Sequence, residues 1–298
     1  MNKLKTLTLA VAALSAASAS AYEFDAGPVY GQINTSISWG VGVRTEDQDL
    51  SQVHPGNAAG GTGSSYNFDD GTLNYEKGDV ITNVLKGSMD LELVMGDGGA
   101  FFRGTAFYDA AIMDDEPAFK DHIDATKDAA GSGYDLLDAF VWYNFDMGEI
   151  PVSARLGRQV LSWGESTFIL GGISSINPIN ASAVRKPGVE VKEVLLPVNM
   201  AYGSFGLTDE VTLEAFYQLE WEKTRPDACG TFFSTTDFVS DGCGPVLLAG
   251  VDDEREILAD YEAGGLQAIT PRIDDVTPSD DGQFGLALRW YSEALGDT

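Results

Sequence analysis

Apolar and polar residues alternate over long stretches of this chain. Between residues 32 and 44, Gln32, Asn34, Ser36, Ser38, Gly40, Gly42 and Arg44 interleave with Ile33, Thr35, Ile37, Trp39, Val41 and Val43. Successive side chains of a strand point to opposite faces, so the pattern predicts a strand with one polar and one apolar side. Residues 210 to 221 repeat it, with Val211, Leu213, Ala215, Tyr217, Leu219 and Trp221 on the apolar side. Segments near 87–96, 99–109, 137–146, 151–161, 197–207 and 283–292 raise the number of predicted strands to eight.

A soluble sandwich alternates in the same way, so the connections have to discriminate. Long connections at about 45–86, 110–136, 162–196 and 222–282 take turns with tight ones near 97–98, 147–150 and 208–209. Short turns at one end and long loops at the other are the layout of an outer-membrane barrel. The expected fold is therefore all-β: a transmembrane antiparallel β-barrel of outer-membrane type, about eight strands of an incomplete barrel, with long external loops. A two-residue turn at Asp97-Gly98 sets Glu92 opposite Arg103 and Leu93 opposite Phe102, and a turn at Thr208-Asp209 sets Tyr202, Met200 and Val198 opposite Ala215, Tyr217 and Leu219.

The chain opens with Lys3 and Lys5, an apolar run from Leu7 to Leu14, and small residues ending in Ala19-Ser20-Ala21. That is the form of a secretory signal, residues 1–21, with cleavage expected before Tyr22. The run is shorter than the roughly 20 residues of a membrane-spanning helix. Residues 22–298 then form the N-terminal part of a barrel in the outer membrane of a Gram-negative bacterium.

Composition narrows the chemistry. The 298 residues carry 46 Asp+Glu against 18 Lys+Arg, a net charge of −28, with two Cys and two His. A chain this acidic is a poor nucleic-acid binder, because phosphate binding requires a basic surface. Loops 45–86, 109–138 and 222–282 hold 7, 9 and 14 acids, 30 of the 46. They read as a solvated acidic surface. Asp114-Asp115-Glu116 and Asp252-Asp253-Glu254 offer oxygen ligands without the spacing of a calcium loop, so no metal and no cofactor is assigned. Cys229 and Cys243 share the long loop 222–282 and are expected to pair in an oxidising compartment. His54 and His122 fall in external loops and no Ser stands in a Gly-x-Ser-x-Gly context, so no catalytic residues are assigned and the chain is not read as an enzyme.

The connection 162–197 differs from the others. It contains Ile169, Leu170, Ile173, Ile176, Ile179, Val184, Val189, Val191, Val194, Leu195 and Leu196, and its Glu165, Glu190 and Glu193 balance Arg185, Lys186 and Lys192. A connection this apolar should pack into the lumen or over the barrel mouth. It would overfill a closed eight-stranded barrel, whose interior side chains already fill, so a larger complete barrel is expected. The end of the chain, Leu295-Gly296-Asp297-Thr298, reads as the start of another tight turn with further strands to follow.

The run Arg155-Leu156-Gly157-Arg158-Gln159-Val160-Leu161-Ser162-Trp163-Gly164-Glu165-Ser166, followed by Gly171-Gly172-Ile173, Ile176-Asn177-Pro178 and Lys192-Glu193-Val194-Leu195-Leu196-Pro197, resembles a proteobacterial family of outer-membrane barrel proteins known only as a domain of unknown function. Ser38-Trp39-Gly40 at the end of the first predicted strand is also similar to that family's start. The resemblance covers the whole chain but only the N-terminal half of a typical member. It implies an outer-membrane barrel associated with envelope transport components, suggestive of moving lipids or other hydrophobic compounds.

Two functions are expected to compete: a transport channel, and a non-conducting structural or adhesive barrel acting through its acidic loops. For a channel, Arg103, Arg155 and Arg289 with Asp90, Glu92, Glu210 and Glu214 line the polar wall. Arg103, Arg155, Arg158, Trp163, Glu165, Arg185 and Lys186 are the candidate lumen or constriction residues. Expected partners are outer-membrane lipid, envelope transport components and, during insertion, the barrel-assembly machinery.

Overall fold

The computed structural model describes residues 14–164, 176–249, 252–265, 268–292 and 296–297. The alternating segments form strands that pair with their sequence neighbours. These are β1 (Leu14–Ala26), β2 (Val29–Val43), β3 (Val80–Met95), β4 (Gly98–Asp109), β5 (Ser132–Met147), β6 (Ile150–Gln159), β7 (Val198–Gly206) and β8 (Val211–Gln218). A two-stranded ribbon, β9 (Val246–Leu247) and β10 (Ile269–Thr270), sits in the last long connection, and β11 (Phe284–Ser292) and β12 (Gly296–Asp297) complete the set. The main sheet has ten antiparallel strands in the order β1-β2-β3-β4-β5-β6-β7-β8-β11-β12, and among the described residues its two edge strands do not pair with each other. No helix among the described residues is long and apolar enough to cross a membrane, which says nothing of a β-barrel.

All eight expected strands are present, and so is the alternation of long and short connections. The tight ones, at Gly27-Pro28, Gly96-Asp97, Gly148-Glu149 and Leu207–Glu210, lie at one end, and the connections 44–79, 110–131, 160–197 and 219–283 at the other. β1 was not expected, because its Ala/Ser-rich run shows no two-faced alternation. Leu14–Ala21, read as the end of the export signal, pairs with β2 over Asn34 to Val41, and cleavage before Tyr22 would leave Tyr22–Ala26 on Val29–Ile33. Gly296 and Asp297, expected to begin a turn, are instead paired back onto Ser292 and Tyr291.

Both predicted registers shift. At the first hairpin Arg103 faces Asp90 and Leu91 faces Phe102, two residues from the expected pairs. The reversal occurs at Gly96-Asp97, where Gly96 has φ +58 and no non-glycine residue has positive φ. That suits a type II′ turn, with Gly first, rather than the type I′ turn read from Asp97-Gly98. A two-residue shift preserves the faces. At the other hairpin the connection has four residues, with Gly206 opposite Thr212. Met200 therefore faces Gln218 and Tyr202 faces Phe216, one step from the expected register, and a one-step slip exchanges the faces. Val198, Met200 and Tyr202 belong to the polar side of the sheet, where the inserted segment covers them.

The two faces are continuous across strands. One register row runs Leu93, Ala100, Val141, Leu156, Ala201, Tyr217, Phe284 from β3 to β11. The neighbouring rows on that side add Trp39, Met89, Phe102, Tyr143, Leu286 and Leu288, and all six of these side chains are exposed. The opposite face carries Asn34, Asp90 and Arg103 in one row, and Trp142, Arg155, Tyr202 and Phe216 in another. Between Phe102 and Gly104 the register of β4 with β5 shifts, so that Leu137 and Asp138 together oppose Arg103. This bulge turns both side chains to the polar face, and both are buried.

The polar face is filled by connection 160–197. Leu161, Val198 and Met200 form a buried cluster against which Trp163, Ile176, Tyr202 and Phe216 pack. Asn177 anchors its own segment: Oδ1 accepts from Leu161 N at 2.9 Å, and Nδ2 donates to the carbonyls of Gln159 (3.2 Å) and Leu196 (3.0 Å). At the other side of the face, Lys86 of β3 is buried and donates to Glu193 Oε2 at 2.5 Å and to the Gly188 carbonyl at 2.6 Å.

Breaking a buried ion pair leaves one charge without compensation and costs about 3–5 kcal/mol. Glu193→Ala should accordingly lower stability by that amount in a chemical-denaturation measurement on the detergent-solubilised chain. The double change Lys86→Met with Glu193→Leu should recover most of the loss. Replacing Asn177 by Ala strands three buried backbone groups, each worth about 1–3 kcal/mol when orphaned, and should lower the same midpoint at least as far.

Candidate functional site

The inserted connection bridges opposite sides of the polar face. From Gly188 to Glu193 it meets β2 and β3: Ser36 Oγ donates to Glu190 Oε1 at 3.4 Å, and Lys192 Nζ pairs with Asp90 Oδ2 at 3.3 Å. Asp90 also takes the fork of Arg103, with Nε at 2.8 Å and Nη2 at 2.9 Å, while Arg103 Nη1 reaches Asp138 at 3.0 Å. A bidentate guanidinium–carboxylate contact fixes direction as well as charge, so Lys192 docks on a preset acid. Across the sheet, Trp163 Nε1 donates to Glu214 Oε2 at 2.6 Å and its ring lies 5.1 Å from that of Phe216. Arg289 Nε of β11 holds the other oxygen of Glu214 at 2.8 Å.

Of the residues singled out from sequence, Arg103, Arg155, Trp163 and Lys186 converge on this face, together with Asp90, Glu92, Glu214 and Arg289. Arg155 lies over the rings of Tyr202 (4.4 Å) and Phe140 (5.9 Å), in contacts worth more as water is excluded. Lys186 Nζ sits 3.2 Å from the centre of the Phe107 ring of β4. Arg158 does not join them. It stands in register with Ala139 and Asn199, in the row of Leu91 and Phe102, and pairs with Glu220 (3.3 Å) and Glu222 (3.6 Å). Arg185 points to the long loop, pairing with Asp227 at 3.1 Å and covering the ring of Phe233. Glu210 is in the four-residue turn at the opposite end. Glu165, Ile169, Leu170 and Ile173 lie outside the described residues.

Lys86 and Asn177 were missed as organising residues, although each left a trace. Lys86 is the cation at a polar-face position of its strand, and Asn177 belongs to the Ile176-Asn177-Pro178 run. What hides them in sequence is that their partners lie up to 107 residues away.

The motif from Arg155 to Pro197 thus builds one object, a strand leading into a segment pinned to both sides of a polar wall. Residues 3–298 match a single family model, described as protein of unknown function (DUF1302). The chain belongs to that family. No curated protein and no solved structure matches it. In this DUF1302 chain the wall and the segment also bound a cavity of about 950 Å³, to whose lining the connection 219–283 contributes. Phe107, Leu137, Lys186, Trp221, Ala228 and Val239 are among its lining residues.

The long connections of the DUF1302 chain form an ordered cap above the wall. Cys229 and Cys243 are joined, as expected from their placement. Of the expected acidic runs, only Glu254 enters a cluster, and it does so with acids from distant loops. One oxygen from each of Asp69, Asp70 and Asp237 lies within 4.8 Å of the others. Lys120 Nζ binds Asp70 Oδ2 at 2.8 Å and Glu254 Oε1 at 2.7 Å. Asn57 Nδ2 donates to both oxygens of Asp69 and to Glu254 Oε2, and His54 N donates to Asp69 Oδ2 at 2.8 Å. The cluster clasps three connections together. Its oxygens are of the type that hard cations prefer, but those of Asp69 already accept hydrogen bonds and Lys120 supplies the local positive charge.

Burial raises three of these carboxylates above the ordinary range. Asp69 is pushed up to about 6, Asp237 to about 8 and Glu254 to about 9, in each case chiefly by desolvation, with nearby Asp70 adding to the rise. Burial also lowers His122, which contacts Tyr75 Oη at 3.2 Å, to about 4. A carboxyl raised in the folded state stabilises it below the ordinary carboxylate range and loses that contribution as pH rises through the folded value. His122 changes only below its ordinary value of 6.5. Between pH 6.5 and 9 Asp237 and Glu254 lose their protons, and the cap they hold should loosen as pH rises. Limited proteolysis should cut residues 45–79 and 222–282 faster at pH 9 than at pH 6.5, with the sheet unchanged; equal rates would contradict this assignment.

Proposed function

We propose that this DUF1302 chain forms part of the wall of an outer-membrane β-barrel that passes lipids or other hydrophobic compounds, with connection 160–197 as its constriction. The observation that carries the reading is the apolar row crossing seven strands from Leu93 to Phe284, exposed from Val141 onward. Water-soluble domains rarely expose so wide an apolar surface, whereas hydrocarbon solvates it. Strands such as β2 and β5, of 15 and 16 residues, exceed the roughly 9–11 residues that a tilted strand needs to cross. An open sheet edge is not tolerated in hydrocarbon, so the reading requires further strands or a second copy at the edges of β1 and β12.

Transport is favoured over a purely structural barrel because the segment that packs on the polar face leaves a cavity beside it. The competing reading, a non-conducting surface barrel, draws on the ordered acidic cap. In planar bilayers, Trp163→Ala combined with Lys192→Gln removes the segment's bonds to Glu214 and Asp90 and should raise single-channel conductance several-fold. Absence of conductance in both forms would contradict the channel. Loss of surface attachment on deletion of residues 230–280 would then favour the acidic cap as the active part.

A further inference from the structure

The cavity of about 950 Å³ between β3, β4, β5, the inserted segment and the last long connection lies at the upper end of the ~300–1,000 Å³ typical of small-molecule sites. Four cations line it: Lys86, Lys186, Lys223 and Arg225. Three have carboxylate partners. Lys86 pairs with Glu193, Lys223 with Asp241 and Asp275, and Arg225 with Asp135 at 3.0 Å. Lys186 has no carboxylate within ion-pair distance among the described residues. Its one close partner is the face of the Phe107 ring at 3.2 Å.

Local structure holds Lys186 in place. A single helical turn, Ala181–Val184, is capped by Asn180, whose Oδ1 accepts from Ala183 N at 3.1 Å, and is tied to the long connection by Ala181 N donating to the Arg225 carbonyl at 2.8 Å. Lys186 N then donates to the Ala183 carbonyl at 3.2 Å, and Pro187 follows. The ammonium is thus fixed against an aromatic floor. Burial lowers the Lys186 amine to about 8, against the pull of Asp109, Asp135 and Glu193, which favour its charged form without making an ion pair with it.

We propose that this cavity binds an amphipathic monocarboxylate, its carboxylate on Lys186 Nζ and its apolar part against Phe107, Leu137, Ala228 and Val239. Lys186 is the one lining cation without a carboxylate at ion-pair distance among the described residues, so the ligand's carboxylate is placed there. The lining also holds Asp128, Asp135, Glu193, Asp241 and Asp275, five carboxylates against four cations, which disfavours a second negative charge such as a phosphate monoester carries. The apolar walls select for a hydrocarbon tail over a small hydrophilic acid.

This inference names a solute class for the transport reading and rests on it for the role of the site, while binding itself can be measured without a membrane. Trp221 lines the cavity and reports occupancy. The test is titration of the full chain in amphipol with 8-bromooctanoate, a heavy-atom quencher, followed by tryptophan fluorescence, with octanol and octyltrimethylammonium as competitors. Saturable quenching that is lost in Trp221→Phe, displaced by octanoate and not by the two competitors, is expected. Lys186→Gln should weaken binding at least tenfold and Lys186→Arg should largely retain it. Because Lys186 makes no ion pair at contact distance among the described residues, the thermal midpoint of Lys186→Gln should stay level, whereas a merely structural lysine would give a fall. Equal displacement by octanol, undiminished binding in Lys186→Gln, or no saturable quenching would each overturn the site. A chain that binds octanoate but passes no current would keep the site and lose the transport reading; a chain that conducts without binding would do the reverse.

Discussion

Every strand of this sheet has to satisfy two different surroundings at once. On one side, Trp39, Phe102, Val141, Leu156, Tyr217 and Leu286 expose large apolar surfaces among the described residues. On the other, Lys86, Asp90, Arg103 and Glu214 find partners on neighbouring strands and on the inserted connection, and Arg155 lies over Tyr202 and Phe140. Strand periodicity makes the two demands inseparable, because a slip of one residue in any register would carry charges to the apolar side. The rest of the architecture follows from holding that register across ten strands.

The inserted connection is the device that settles the polar side. It brings Glu193 to Lys86, Lys192 to Asp90 and Trp163 to Glu214, and it buries Leu161 and Leu196 under Met200 and Val198. The apolar residues of the segment fill volume, and its charged ones neutralise the wall. The acidic cap then sits above it as a separate assembly, held by a disulfide and by carboxylates whose burial favours their protonated forms. The division explains how a chain with a net charge of −28 keeps a closely paired interior: most of its acids lie in the long connections.

Much of this was legible in sequence wherever the signal was local. Alternation located eight strands, and loop lengths divided the ends. Cys229 and Cys243 marked themselves as a pair. The apolar run from Ser162 to Pro197 was expected to be buried, but among its described residues Leu196 is buried while Ile179, Val184 and Val191 are exposed. What failed depended on backbone geometry or distant partners. Gly96 takes the turn position that Asp97-Gly98 seemed to claim, and the four-residue connection after Gly206 moved Met200 and Tyr202 to the opposite face. Arg158, two residues from Leu156, looked like its neighbour Arg155 in composition but not in register. Lys186 was legible as a candidate, but that no described carboxylate contacts it emerged only when Lys86, Lys223 and Arg225 were seen to be paired.

Lipid exposure of the apolar rows tests this account most directly. Nitroxide labels placed one at a time at Trp142, Leu156, Arg155, Tyr217 and Phe216, in the full chain reconstituted into lipid vesicles, report collision with oxygen, which concentrates in hydrocarbon, and with a water-soluble nickel chelate. Cys229 and Cys243 are joined and leave the labelling chemistry to the introduced thiols. The account predicts strict alternation, with Leu156 and Tyr217 open to oxygen and closed to nickel, and Trp142, Arg155 and Phe216 poorly reached by oxygen. Nickel reaching Leu156 and Tyr217 as readily as an external loop would contradict it, and would place the apolar face against protein or water instead of lipid.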